Sequence, residues 1–463
     1  MTSSVYPTGT TIYNPEKCWS GYTVYQATLH QKNSVGTILV DMNGNVVNRW
    51  KGLDGFPNRI LPGGYVMGGT GVRNFKYGYQ DMLDLVQVDW EGNIIWKFEK
   101  YERVKDPRQK ARWMLRQHHD YQREGNPVGY YVPGMDPLVD SGNTLIVCHK
   151  NLKNPQVSDK TLLDDTIIEV TWDGKIIWEW ICSEHFDEMG FSEDAKNILA
   201  RNPNVQHTGG GMGDWMHMNS MSLLGPNKWF DEGDERFHPD NIIWDGRQTN
   251  ITAIIERKTG KIVWQLGPDF TATQELKDMG QIIGQHHAHI IPRGLPGEGN
   301  ILVFDNGGGA GYGVPNPGAP TGLNNARRDN SRILEFDPTT LEIIWQYPKR
   351  GPGFMPMTGL YSSFVSSAQR LPNGNTLITE GHCGRIFEIT AEHEIVWEYL
   401  SPYTSKMLKT NMVYRAYRVP YEWVPQMDRP EEKAIARLDN NKFRVPGSVQ
   451  KRPLKVTSIK QGK

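Results

Sequence analysis

Apolar and polar residues alternate along this chain in short runs, and the runs come in pairs joined by tight turns. Six pairs share one pattern, an apolar strand, a polar turn and a second strand ending in tryptophan: GTILVDMNGNVVNRW, LDLVQVDWEGNIIW, DTIIEVTWDGKIIW, TNITAIIERKTGKIVW, SRILEFDPTTLEIIW and GRIFEITAEHEIVW. They close at Trp50, Trp96, Trp178, Trp264, Trp345 and Trp397. The β-branched content, the period of two and the turns at Asn43-Gly44, Glu91-Gly92, Asp173-Gly174 and Thr259-Gly260 predict antiparallel hairpins. Several units carry an earlier hairpin too, at 141 to 148, 297 to 304 and 372 to 379. Two hairpins make a four-stranded sheet, and six repeats of one predict an all-β fold, a single six-bladed β-propeller.

The strand pattern is interrupted in places. Residues 101 to 117 read as a short helix with Asp106 as cap and Pro107 at its first position, and a second inserted helix is expected from Ser192 to Ala200. Gly307 to Asn330 is a long Gly/Pro/Asn-rich loop. The stretch 411 to 419 predicts an extra strand that closes the ring with the N-terminal segment. The propeller is thus expected over 1–425, followed by a C-terminal helix and basic tail over 426–463.

Composition narrows the function classes. Of 463 residues 22% are charged, the formal net charge is -1, and no long apolar run occurs. These values offer no general attraction to nucleic acid and no membrane span, so the expected partner is a small molecule. The oligomeric state is left open, a homo-oligomer included. The opening residues lack a basic and an apolar export region, which makes a cytoplasmic location the expectation. Four dispersed cysteines without a CxxC pair suit a reducing compartment.

Histidines carry the chemistry. His118 and His119 head the third unit, His217 the fourth, and His286, His287 and His289 the fifth. First strands of propeller blades line the central channel, so these heads converge on one mouth. The antiparallel second strand returns its end there, bringing His149, Asn306, Glu380 and His382 to the same rim. Alternation along a strand leaves open which member of the His118/His119 and His286/His287 pairs points inward. For any single histidine the plain reading, an anchor for loops, competes with a chemical one. His30, His185, His238 and His393 read as surface or packing residues.

The opening GTTIYNPEKCWSGYTVYQA, the motifs DWMHMNS (214 to 220), GQHHAH (284 to 289) and FDNG (304 to 307), and the refrain LPNGNTLI together resemble the bacterial arylsulfotransferase family over roughly Thr8 to Pro425. The resemblance implies a six-bladed propeller whose channel histidine takes sulfate from an aryl sulfate and passes it to a phenol, with no nucleotide sulfate donor and no cofactor. It implies active-site roles for His217 and Asn219 of DWMHMNS and for His287 of GQHHAH, and Arg332 is the choice for a sulfate-binding arginine. His119 and His382 complete the expected catalytic set, with Asn306, Glu380, His286 and His118 around the substrate. Members of the family are often periplasmic. At the head of the sixth unit the chain has YSSFVSSAQ, without a histidine.

A metal-dependent lyase, hydrolase or oxidoreductase is the alternative. It would hold zinc or a transition metal ion on His119, His217, His287 and His382, because imidazoles on separate blades need no local motif to share an ion. A propeller serving only as a binding platform is the third reading.

Overall fold

A computed structural model describes residues 7–27, 35–74, 77, 80–203, 213–312, 327–349, 359–405 and 410–437. Six sheets are arranged as propeller blades. Blade 2 runs Arg59–Leu61, Tyr65–Gly68, Leu85–Val88 and Ile94–Phe98. Blade 3 has the longer strands Gln117–Arg123, Thr144–Asn154, Ser158–Val170 and Ile176–Ile181, and blade 4 is built from Met218–Leu223, Ile242–Gly246, Ile251–Ile255 and Ile262–Leu266. Blade 5 follows with His286–Ile290, Ile301–Asp305, Arg332–Phe336 and Ile343–Tyr347. All neighbouring strands are antiparallel, and the first strands of blades 3, 4 and 5 pack against one another around the axis.

Both chain ends close the ring. Blade 1 takes Ala416–Val419 as its innermost strand, paired with Tyr22–Ala27, ahead of Gly36–Val40 and Val46–Trp50. Blade 6 (Ser367–Arg370, Thr376–Glu380, Arg385–Ile389 and Ile395–Leu400) gains Gly9–Tyr13 as a fifth, outermost strand. Each edge that a linear array would leave open is thereby paired.

The six repeated pairs are the outer two strands of the six blades. Their turns need a left-handed residue, and Gly44, Gly92, Gly174 and Gly260 have φ of 83, 91, 85 and 76°. Blades 5 and 6 accept the strain on Leu341 and His393 instead, at 62 and 74°. The closing tryptophans join blades. The indole N–H of Trp50 donates to Asp89 O, Trp96 to Trp172 O, Trp180 to Gly260 O, Trp264 to Pro338 O, Trp345 to Ala391 O and Trp397 to Met42 O, at 2.7–3.2 Å. In blade 3 the bond comes from Trp180, two residues beyond Trp178. A shift of two keeps a strand residue on the same face, and Trp180 is the buried member of the pair.

One expectation is corrected. Residues 101 to 117 form no helix: Glu102–Val104 pairs with Arg112–Met114 as a small hairpin, and Asp106 receives the guanidinium of Arg73 instead of capping a first turn. After Val424 the described residues 426 to 437 contain no helix, and Ile435 bridges Tyr13. Residues 438–463 lie outside the described residues, as do 313–326 of the long loop. The other inserted helix forms at Glu193–Arg201, with Ser192 Oγ accepting from Ala195 N. No described helix is long and apolar enough to cross a membrane.

Buried charge locks the closure seam. Arg418, on the C-terminal strand of blade 1, donates to Glu388 of blade 6 (3.1 Å), Thr23 Oγ1 (2.7 Å) and Trp19 O (2.9 Å), and lies over the Trp397 ring. Removing one partner of such a pair strands the other charge in the interior. Arg418→Ala is expected to cost about 3–5 kcal/mol in urea unfolding, and Arg418→Met combined with Glu388→Gln about 1–2 kcal/mol or less. A single mutant as stable as the double would show that the seam does not depend on this pair.

Candidate active site in the propeller channel

Three histidines occupy equivalent places with the same unusual backbone. His119, His217 and His287 have φ of 54, 55 and 58°, and at each the pairing of the innermost strand with its neighbour shifts register. A left-handed non-glycine residue costs roughly 1–2 kcal/mol, so the surroundings must hold it there. In two blades the device is visible. Asp165 of blade 3 accepts from Met218 N, the residue after His217, and Asp245 of blade 4 accepts from Ala288 N, the residue after His287 (3.1 and 2.8 Å). A carboxylate from the preceding blade thus takes the N–H that each bulge frees from the ladder.

At two of the bulges the imidazoles meet. The rings of His119 and His217 meet edge to face at 4.6 Å. His119 Nδ1 lies 2.7 Å from His118 Nδ1, and His217 Nδ1–H donates to Asp214 at 2.6 Å. Burial, then the neighbouring histidines, push the pKa of His119 well below its ordinary value, so its ring is neutral. Burial and the charge of His149 bring His118 to about 4. His149 behaves oppositely. Burial disfavours its charge, but the Asp81 carboxylate 2.7 Å from Nδ1 outweighs that and raises its pKa. Arg73 and Arg116 hold Asp81 from its other side.

The rings of His287 and His289 lie 4.5 Å apart, with Tyr130 bonded to His289 Nε2 (2.9 Å). Burial and Arg415 hold His287 well below its ordinary pKa. Arg415 reaches inward from the closing strand, pairs with Asp120 at 2.8 Å and donates to the carbonyl of Asn219. Tyr414 donates to the carbonyls of His119 and Asn219, so the closing segment braces two of the three bulges.

The remaining expected residues are placed as follows. His286 is tied down: Asn306 Oδ1 lies 2.7 Å from its Nδ1, and Val365 N donates to its Nε2. Asn306 spends its amide on the carbonyls of Ser362 and Val365, which makes it an orienting group rather than a substrate contact. Asn219 donates to Gln285 O. Arg332, expected to bind sulfate, has its fork engaged by Asp305 and by the carbonyls of Met279 and Gly280. Glu380 accepts from Tyr361 N and pairs with Arg385. His382 sits in a turn at Gly381–Cys383, half-buried against Phe364, without a ring contact to the channel histidines. In blade 6 the strained backbone falls on Val365 and Ser366, φ 58 and 93°, where no imidazole is available.

Sequence reasoning missed Arg247 and Asp214. Arg247 ends the second strand of blade 4, the position that singled out His149 and Asn306 on their own blades. Its N–H donates to His217 O at 3.0 Å, and after burial its charge is the largest influence lowering the His286 pKa. Asp214 lies inside DWMHMNS, three residues before the histidine it orients. A cavity lined by Trp178, His238, Glu256 and Arg257 lies at the outer edge of blades 3 and 4 and includes none of the channel residues.

The sequence family described as Arylsulfotransferase (ASST) matches residues 137–417, more than half of the chain. The chain belongs to the arylsulfotransferase family. Curated proteins provide no match. Similar solved structures include a protein of unknown function from Bacteroides caccae (11% identity, TM-score 0.42, covering 87% of this chain and 99% of that one). Virginiamycin B lyase from Staphylococcus aureus is another (11% identity, TM-score 0.35, covering 84% and 86%). At these values neither bears on the chemistry. Family membership makes the protein a sulfotransferase-like enzyme. Among the described residues, the side chains whose ligand atoms converge within 4.8 Å of one another are His118, His149 and Asp165, a different set from the four histidines expected to share an ion.

Asp245, which anchors the bulge after His287, supplies a pH test. Burial raises its pKa from 3.8 to about 7, so the fold prefers the protonated acid. The cost of ionising it is absent below about pH 4 and complete above about pH 7, on the order of 4 kcal/mol. Asp245→Asn keeps an acceptor without that cost. Its stability relative to the parent, from chemical unfolding at pH 4 to 8, should rise with pH through this window and level off above it; a pH-independent difference would refute the assignment.

Proposed function

We propose that the enzyme transfers a sulfuryl group from an aryl sulfate to a phenol through His217, with no nucleotide sulfate donor. The observation that carries this reading is the edge-to-face pair of His119 and His217 on two strained bulges, with His217 Nδ1 bound to Asp214. With Nδ1 engaged by Asp214, Nε2 is the atom suited to attack sulfur. In the first half-reaction Nε2 forms the N–S bond as the S–O bond to the aryl group breaks, and the phenolate leaves with the electron pair. In the second, the oxygen of an acceptor phenol attacks sulfur as the N–S bond breaks, its electron pair returns to Nε2, and the phenolic proton passes to the phenolate released in the first.

Asp214 steadies the positive charge that His217 acquires on sulfation. Arg247, fixed to the His217 backbone, is the cation for the nonbridging oxygens, and His119 is the neighbouring group that meets the substrate ring to ring. His287 lies against Tyr130 and Tyr417, where an aromatic leaving group would find aromatic walls.

With 4-nitrophenyl sulfate as donor and phenol as acceptor, His217→Ala should lose at least a thousandfold in kcat/KM, about 4 kcal/mol of transition-state stabilisation. Asp214→Asn should lose tenfold to a hundredfold, about 1.4–2.7 kcal/mol, mainly in kcat. Full activity in His217→Ala would defeat the proposal.

A further inference from the structure

We propose a divalent metal site at one end of blade 3, formed by His118 Nε2, His149 Nε2 and Asp165 Oδ1, of a kind suited to zinc. This site does not depend on the reading of His217. Three adjacent strands of one sheet supply the ligands. His149 and Asp165 are direct cross-strand partners, and His118 enters from the innermost strand, its ring stacked on that of His149 at 3.6 Å.

The three donor atoms lie within 4.8 Å of one another. Asp165 Oδ1 lies 2.9 Å from His118 Nε2 and 3.7 Å from His149 Nε2, and all three side chains are fully buried. Ligands about 2.1 Å from a shared ion lie roughly 3–3.5 Å apart. Although 2.9 Å is within ion-pair distance, none of these three atoms has an aligned hydrogen bond. Three convergent polar atoms, orphaned and cut off from water, are costly unless something fills the space between them.

Every other polar atom of the set is already used to orient it. His149 Nδ1 faces Asp81 at 2.7 Å, a carboxylate-to-imidazole contact typical behind metal-bound histidine. Asp165 Oδ2 accepts from Met218 N, and His118 Nδ1 touches His119 Nδ1. Among the described residues no lysine or arginine pairs with Asp165, whose charge is met by imidazole and by the Met218 N–H. Two nitrogens and one carboxylate oxygen match zinc and its first-row neighbours better than magnesium or calcium. The site also reaches the channel. An ion on His118 Nε2 places that ring's proton on Nδ1, directed at His119, and so leaves the His119 proton on the nitrogen remote from His118.

The test uses the full chain purified without a polyhistidine tag or chelator. Metal analysis, then zinc titration of chelator-stripped protein, should find one ion per chain with a dissociation constant below ~1 μM. His149→Ala and Asp165→Ala should each weaken zinc at least ~100-fold, whereas His382→Ala should not. X-ray absorption of the zinc-loaded parent should read two imidazole ligands, a result that stands even if the substituted chains fail to fold. No zinc binding by the parent, unchanged affinity in both ligand variants, or a shell without two imidazoles would overturn the site. His217→Ala should keep its zinc, so loss of activity there and loss of metal here are read separately.

Discussion

The molecule is held as a ring by one repeated contact, an indole N–H on the outer strand of each blade donating to a carbonyl of the next. A four-stranded blade has two apolar faces and cannot bury both alone, so its stability depends on its neighbours. The tryptophan covers the seam with a large apolar surface and sets the angle between sheets with a directional bond. Because the sixth of these bonds runs from Trp397 to Met42, the array closes, and the two chain ends complete the same junction by strand pairing.

Closure is also what brings the histidines of separate blades together. In a closed ring the first strands face one another, and residues distant in sequence come within a few ångströms. The left-handed bulges at His119, His217 and His287 need this crowding, since blade 3 supplies the carboxylate that holds the bulge of blade 4, and blade 4 that of blade 5. Tyr414 and Arg415, immediately before the closing strand, bond to the same bulges. The closure that stabilises the fold therefore also shapes the site, an arrangement in which loosening the seam would blur the histidine geometry.

Electrostatics divides the channel histidines into kinds. Burial keeps His119, His286 and His287 neutral, as a nucleophile, a metal ligand or a hydrogen-bond acceptor must be. His149 has its pKa raised by a carboxylate that two arginines hold in place. His286 is locked at both nitrogens and serves as a strut between blades 5 and 6. Rings of one chemical type thus differ in role because their partners differ.

The amino-acid order alone carried the blade count, the outer hairpins, the helix at Glu193–Arg201 and the closing strand, because alternation, turn residues and caps are local signals. It also put the pair His118/His119, His217 and the pair His286/His287 at equivalent places, since repeats place equivalent residues at equivalent sites. Local signals failed at 101 to 117, where the Asp106-Pro107 cap pattern was overridden by strand pairing and by Arg73 reaching from blade 2. They could not separate His286 from His287, find that Arg332 and Glu380 are spent on structural pairs, or see that His382 faces Phe364. Nor could they group His118, His149 and Asp165, or recognise Arg247 beside His217. Those facts depend on which side chains meet across strands and blades, and such meetings are decided by register, bulges and ring closure, which appear only when the whole chain has folded.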